Sequence, residues 1–119
     1  MGGGAQFRPR DFMKLGQLML DGGTWQGKRI LSADWVRRST APSGELRGLH
    51  YGYLWWGIDL PWQGTKLPAF YAAGNGGQVV IVVPKLDLVV AIFGGNYGDK
   101  VMYVPQEKYT PDHILPAVR

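Results

Sequence analysis

Cysteine is absent, and histidine occurs only at His50 and His113. The first absence excludes a disulfide framework, a thiolate metal site and a cysteine nucleophile. Export stays open, because exported chains can lack disulfides. The second absence argues against an all-histidine metal centre. No metal and no other cofactor is expected. A long apolar run is missing too. Val79 to Val83 and Leu88 to Phe93 are both far short of the roughly 20 residues of a membrane-spanning helix. The opening "MGGGAQFRPRD" has no basic leader followed by an apolar core, so it does not read as a signal peptide. A myristoylation pattern fails at Gln6, where Ser or Thr is needed. No membrane span is expected, and the sequence assigns no compartment.

Acidic residues are fewer than basic ones, 9 against 13, for a formal net charge of +4. Arg8, Arg10, Lys14, Lys28, Arg29, Arg37 and Arg38 make the first third basic. They form no stripe and no aromatic-interleaved basic helix, so a nucleic-acid partner is not expected. Complete nucleophile motifs are missing as well. Ser32, Ser39 and Ser43 are the serines, and none has Lys three positions later. Tyr-x-Asn, Lys-Thr-Gly and Gly-x-Ser-x-Gly do not occur. Asp59 and Asp87 could meet as a carboxylate pair, but a strand end and a hairpin turn explain them more simply.

What is present is a folding composition. Hydrophobic residues are 45% of the 119, with Trp 5 and Tyr 6. That length fits one domain, taken here as 1–119. Pro9 and the spacing of Phe12, Leu15, Leu18 and Met19 predict an amphipathic helix over 9–21, ended by Gly22-Gly23. Gly16 inside it points to close packing. Gln26-Gly27 reads as a turn between short arms, and Ser32 as the cap of a brief helix. Residues 41–48 read as loop. Residues 51–58 read as one aromatic strand, with Tyr51, Tyr53 and Trp55 on one face. Residues 59–68 read as a connection. Further strands are expected at 69–73, 78–83 and 87–94, the last two antiparallel across "PKLD". A helical piece is expected near 105–117, limited by Pro111 to "PDHILPAV".

Val79 to Val83 and Leu88 to Phe93 are apolar on both faces, so both faces need cover. The expected fold class is therefore α+β or α/β, with antiparallel strands and flanking helices. The sheet asks for more cover than these helices supply. An incomplete domain, or self-association through an exposed sheet face, is the expected response.

Glycine is plentiful, at 18 residues, and it clusters in "AAGNGGQ". The spacing fits neither the Walker nor the Rossmann pattern. Two readings stay open. One is a tight bend or bulge. The other is a set of backbone N–H groups facing a ligand or a developing oxyanion.

The order "FRPRDFMKLGQLMLDGGTWQGKRILSADWV", "YGYLWW", "FYAAGNGGQVVIVVPKLDLVVAIFGGNYG" and "HILPAV" resembles the C-terminal part of the serine beta-lactamase and penicillin-binding-protein superfamily. Its class C-related branch, with esterases and 6-aminohexanoate-dimer hydrolases, is the part resembled, over nearly all 119 residues. The resemblance implies a sheet with helices on both faces and an acyl-enzyme made on the serine of a Ser-x-x-Lys motif. It implies that Ala72-Ala73-Gly74 stands where a Lys/His-Thr/Ser-Gly motif would lie. Asn75 would then give a backbone oxyanion donor, with Gly76, Gly77 and Gln78 shaping the substrate wall. The register can slip by one or two residues. Loss of Lys and Thr from that motif argues against carboxylate recognition. The implied partner is a small ester, amide or lactam, with ester or amide hydrolysis favoured. Because Ser-x-x-Lys and Tyr-x-Asn are absent, the expectation is a fragment that supplies the oxyanion strand and not the nucleophile. The alternative is a non-catalytic binding or assembly module of the same fold, using Trp55, Trp56, Trp62 or Tyr71 as an interface.

Overall fold

A single strand organises the molecule. In the computed structural model, which describes residues 4–46 and 48–119, all five residues of Val79–Val83 are buried. Their relative exposures are 0–1%, and complete burial of such a side chain is worth about 1.5–3 kcal/mol. This strand, β7, lies within a six-stranded antiparallel meander. In chain order the members are β3 (Gly44–Leu46), β4 (Leu49–Gly52), β5 (Trp55–Trp62), β6 (Thr65–Ala73), β7 and β8 (Leu88–Ile92). A separate hairpin of β1 (Thr24–Trp25) and β2 (Lys28–Arg29) precedes them. The architecture is a mixed α/β domain with an antiparallel sheet and flanking helices.

The register explains the two-sided burial. Val79, Ile81 and Val83 stand opposite Ile92, Val90 and Leu88, and Ile81 stands opposite Tyr71. With Leu60, Leu67 and Ala69 they form a core cluster that also takes in Leu115 from the C-terminal segment. Val80 and Val82 point the other way, toward helix α1 (Pro9–Leu20). Cover on both faces is thus supplied from opposite ends of the chain.

Helix α1 follows the predicted span closely, with Pro9 in its first turn and no side-chain cap at Arg8. Its contact stripe differs from the one expected. Gly16 and Met19 are buried, while Leu15 is 45% exposed. Gly16 sets the approach. A Cβ there would lie 2.7 Å from Val89 Cγ1 and 2.8 Å from Val80 Cγ2. Beyond the helix, Arg29 Nη1 donates to the carbonyls of Gly22 and Leu31, at 3.1 and 2.8 Å, and ties the β1–β2 hairpin down. That hairpin turns at Gln26 and Gly27, both with positive φ, as read from the sequence. Helix α2 (Ala33–Thr40) is capped as expected, with Trp35 N–H donating to Ser32 Oγ at 3.1 Å.

The aromatic stretch 51–58 is not one strand. The chain reverses at Tyr53 and Leu54, which have φ of 20° and 76°. Tyr51 and Trp56 thereby come to the same face, with ring centroids 4.5 Å apart. The reversal is imposed from outside the segment. Gly52 abuts the carbonyls of Ser39 and Ala41 at the end of α2. Trp35 packs on Tyr53 at 5.2 Å. Gly44–Leu46, read as loop, pairs with β4 as an edge strand.

Residues 59–68 are likewise strand rather than connection. β5 and β6 pair continuously around a turn at Gln63 and Gly64, with φ of 48° and 75°. Pro61 and Pro68 are tolerated because this part of the ribbon is two strands wide. β4 reaches only Trp56 on one side, and β7 reaches only Phe70 on the other. A proline there removes no ladder hydrogen bond from a second neighbour. Asp59 accordingly sits mid-strand opposite Pro68, while Asp87 closes the β7–β8 turn in the left-handed conformation at φ 50°.

The C-terminal helix spans Pro105–Ile114, starting six residues earlier than "PDHILPAV". Its winding is wider than an α-helix. Leu115 N–H donates to the Thr110 carbonyl, five residues back. Thr110 Oγ1 donates to the Pro105 carbonyl at 2.8 Å, also five back. In an α-helix the Pro111 ring would clash with the carbonyl four residues earlier; the five-residue spacing avoids that register. It also brings Pro105, Thr110 and Leu115 to one buried face. Met1, Gly2, Gly3 and Arg47, on which the leader reading and part of the 41–48 loop fall, lie outside the described residues. Among the described residues no helix is long and apolar enough to cross a membrane.

The Gly16 contact yields a test. Gly16→Ala gains about 1 kcal/mol in helix propensity and incurs about 1–3 kcal/mol of overpacking against two buried valines. The expected net is a loss of about 1 kcal/mol, read as a fall in Tm of roughly 4 °C in a thermal melt.

Candidate functional site

The glycine cluster lies where β6 leaves the sheet and β7 returns. Gly74 N–H donates to the Gln78 carbonyl at 2.8 Å, and Gly77 N–H to the Gly74 carbonyl at 3.2 Å. Gly77 has φ 81°, so the turn needs a residue free of Cβ strain there. The remaining crowding has an internal cause. The Gln78 carboxamide folds back into the loop. Its Oε1 accepts from Gly76 N–H at 3.0 Å, and its Nε2 donates to the Gly94 carbonyl at 2.8 Å and to Tyr97 Oη at 3.3 Å. A Cβ on Gly74 would stand 2.9 Å from Gln78 Oε1, and one on Gly76 would meet the same carboxamide. One on Gly94 would come within 2.6 Å of the Gly76 carbonyl. The bend reading therefore accounts for Gly76, Gly77 and Gly94.

The same turn forms the rim of a cleft of about 220 Å³. Ala73, Gly74 and Asn75 line one side. Trp56 and Tyr71, neighbours across β5 and β6, form the sheet side. Met102, Tyr103 and Gln106 close it from the C-terminal segment. The location follows from the fold. Ala73 and Tyr71 alternate onto the face covered by the C-terminal helix, and that helix begins over the end of β6.

Of the residues read as the site, the cleft takes Ala73, Gly74 and Asn75. Ala72 alternates to the opposite face of β6. Gly76 and Gly77 are buried behind the rim, and Gln78 holds the loop from behind rather than facing the cleft. Asn75 is distinctive within the turn. The N–H groups of Gly74, Gly76 and Gly77 are all engaged. Asn75 N–H has no acceptor among the described residues, and Asn75 is exposed. No charged side chain lines the cleft.

Gln106 and Tyr103, which sequence reasoning passed over, and Tyr71, read there only as an interface residue, complete the site. Tyr71 is 5% exposed. Burial pushes its phenol up from the ordinary 10.0, and the charges of Glu107 and Tyr103 push in the same direction. The phenol is thus a neutral donor and not a base. Gln106 is 1% exposed, and its Oε1 is the one buried side-chain polar atom without a hydrogen-bond partner among the described residues. Leaving such an acceptor unpaired costs about 1–3 kcal/mol. Tyr103 adds a third aromatic ring. The sequence carried no signal for Gln106, because its placement depends on the wide winding of a proline-containing helix.

No protein-family model matches the chain. The serines contribute nothing to the cleft. Ser32 Oγ caps α2, Ser39 Oγ donates to the Val36 carbonyl at 3.2 Å, and Ser43 Oγ donates to the Tyr51 carbonyl at 3.1 Å. Asp59, Asp87, His50 and His113 do not line it either. Among the described residues no group of three or more His, Cys, Asp or Glu could hold a metal ion.

Two outcomes follow. Gln78→Ala removes three hydrogen bonds from the turn and is expected to cost about 2 kcal/mol. Hydrogen exchange at Gly76 N–H should accelerate along with the loss. For Tyr71, the folded phenol holds its proton above the pH at which the unfolded one releases it. The stability linked to the neutral phenol is therefore complete below about pH 10 and is lost as pH rises further. Tyr71→Phe should flatten the alkaline limb of a urea-denaturation series above pH 10 and leave its neutral limb parallel to that of the parent.

Proposed function

We propose that this chain forms the oxyanion side and substrate wall of an acyl-transfer site, as the C-terminal part of a serine hydrolase resembling the beta-lactamase and penicillin-binding-protein superfamily. The nucleophile would come from outside these 119 residues. Asn75 N–H carries the reading. It has no acceptor among the described residues, it lies between the committed amides of Gly74 and Gly76, and, unlike Gln78, Asn75 lines the cleft. An oxyanion hole requires such a donor, released from the ladder and held still before the reaction. Gln78 supplies the holding.

In the proposed chemistry a serine hydroxyl adds to an ester or amide carbonyl, and the carbonyl oxygen becomes the oxyanion. Asn75 N–H donates to it. The leaving alcohol or amine departs with a proton, and water then releases the acid from the acyl-enzyme. The neutral lining of the cleft supports an uncharged ester or amide over a carboxylate-bearing substrate. A lactam is the less favoured partner for the same reason.

A second reading has its own support. All three serines hold structural hydrogen bonds away from the cleft, so the chain by itself fits a binding module as well as a partial enzyme. The two readings separate on turnover. The isolated chain should hydrolyse a short-chain nitrophenyl ester no faster than a variant lacking Ser32, Ser39 and Ser43. Serine-dependent turnover by the isolated chain would sink both readings as stated. Joined to a segment bearing Ser-x-x-Lys from the family it resembles, the chain should become active. In that joined protein Asn75→Ala, which keeps the N–H, should retain kcat. Asn75→Pro, which removes it, should lose about 10²–10³-fold. Equal activity of the two variants would remove Asn75 from the reaction and leave the binding module.

A further inference from the structure

The turn at residues 74–78 holds the one Asn-Gly pair of the chain, Asn75-Gly76. Such a pair can close a ring on itself. The glycine amide nitrogen attacks the asparagine Cγ, and no side chain on the glycine shields that nitrogen. Asn96, the other asparagine, precedes Tyr97 and lacks this opening. The fold acts on the pair in two opposite ways. Asn75 is exposed, and its carboxamide has no hydrogen-bond partner among the described residues, so the electrophile is free to move. Gly76 is buried, and its N–H donates to Gln78 Oε1 at 3.0 Å. Gln78 is itself anchored, since its Nε2 donates to the Gly94 carbonyl at 2.8 Å. Attack requires the Gly76 nitrogen to lose its proton and turn toward Cγ. A hydrogen bond donated by the N–H favours the protonated form and fixes the peptide plane.

We propose that Asn75-Gly76 is a modification site, converted to aspartate and isoaspartate without an enzyme, and that Gln78 sets the rate by holding the Gly76 N–H. When that N–H leaves Gln78 Oε1, the nitrogen gives its proton to hydroxide and bonds to Asn75 Cγ. The Cγ–Nδ2 bond breaks, and the side-chain nitrogen departs as ammonia with a proton from water. Water then opens the succinimide at either carbonyl, giving aspartate or its β-linked isomer. The sequence balances with water as the only co-reactant. Its product places a carboxylate on Asn75, at a cleft that no charged side chain lines. The neutral cleft thereby becomes one that repels anions. This inference concerns the turn alone and does not rest on the acyl-transfer reading.

The chain is incubated in mildly alkaline buffer, folded and in denaturing urea. Peptide mass spectrometry follows it, with a fragmentation that separates aspartate from isoaspartate. In urea Asn75 should gain one mass unit ahead of Asn96, as both isomers. In the folded chain the gain should be slower, by the same factor as the protection of Gly76 N–H against hydrogen exchange. Gln78→Ala should react about tenfold faster than the folded parent, the equivalent of one hydrogen bond lost at the nucleophile. Gly16→Ala, which loosens the helix packing away from the turn, should keep the parent rate. Circular dichroism and tryptophan fluorescence establish that each variant is folded. A folded parent that reacts as fast as the unfolded chain would overturn the proposal. So would a folded Gln78→Ala that keeps the parent rate, or Asn96 reacting first. Should Gln78→Ala fail to fold, the match between deamidation and hydrogen exchange in the parent decides: a mismatch removes Gln78 as the gate.

Discussion

Everything in this domain is hung on the burial of β7 from both sides. Val79, Ile81 and Val83 look toward the C-terminal segment, and Val80 and Val82 look toward α1. Strand-period alternation normally separates a wet face from a dry one. Here it separates two dry faces, so the strand is stable only if both chain ends return to it. The N-terminal helix does so by shrinking one residue to glycine. The C-terminal helix does so by widening its turns, so that Pro105, Thr110 and Leu115 align on the sheet. The cleft is a by-product of the second arrangement. It is the space left where that helix starts over the last residues of β6.

The turn at residues 74–78 shows how structure and candidate chemistry share one set of atoms. The Gln78 carboxamide satisfies Gly76 N–H and the Gly94 carbonyl. Those are backbone groups that would otherwise be orphaned in a partly buried loop. By engaging the amides on either side, the turn leaves Asn75 N–H as a free donor at the cleft. Gly74 and Gly76 are needed because a glutamine side chain, not a ligand, occupies the space beside them, and Gly77 because of its positive φ. Rigidity and an available donor are thus two results of one hydrogen-bonding arrangement.

Much of this was legible in the sequence where local signals agreed. Pro9, the apolar spacing after it and Gly22-Gly23 bounded α1, Ser32 marked α2, and "PKLD" marked the β7–β8 hairpin. The need for cover on both faces was legible from Val79–Val83 alone. Legibility failed where distant contacts overrode a local pattern. Tyr53 and Leu54 carry no turn chemistry, and the reversal there answers to α2 through Gly52 and Trp35. Pro61 and Pro68 read as breakers because the width of the ribbon around them is a property of the whole sheet. Ala73, Gly74 and Asn75 were found because glycines advertise an unusual backbone. Tyr71 stood out only as one interface aromatic among several, and Gln106 not at all, since a helical glutamine looks like any other until the opposite wall is in place.

The two prolines of the β5–β6 ribbon also bear on how copies of the chain meet. Each occupies a strand that has one neighbour and so presents an outer edge. An edge that lacks an N–H at Pro61 on one side, and at Pro68 on the other, is a poor template for an incoming strand. Lys66 and Asp59, opposite these prolines in the ladder, add charge. The projecting end of the sheet is therefore guarded against growing sideways into a fibril.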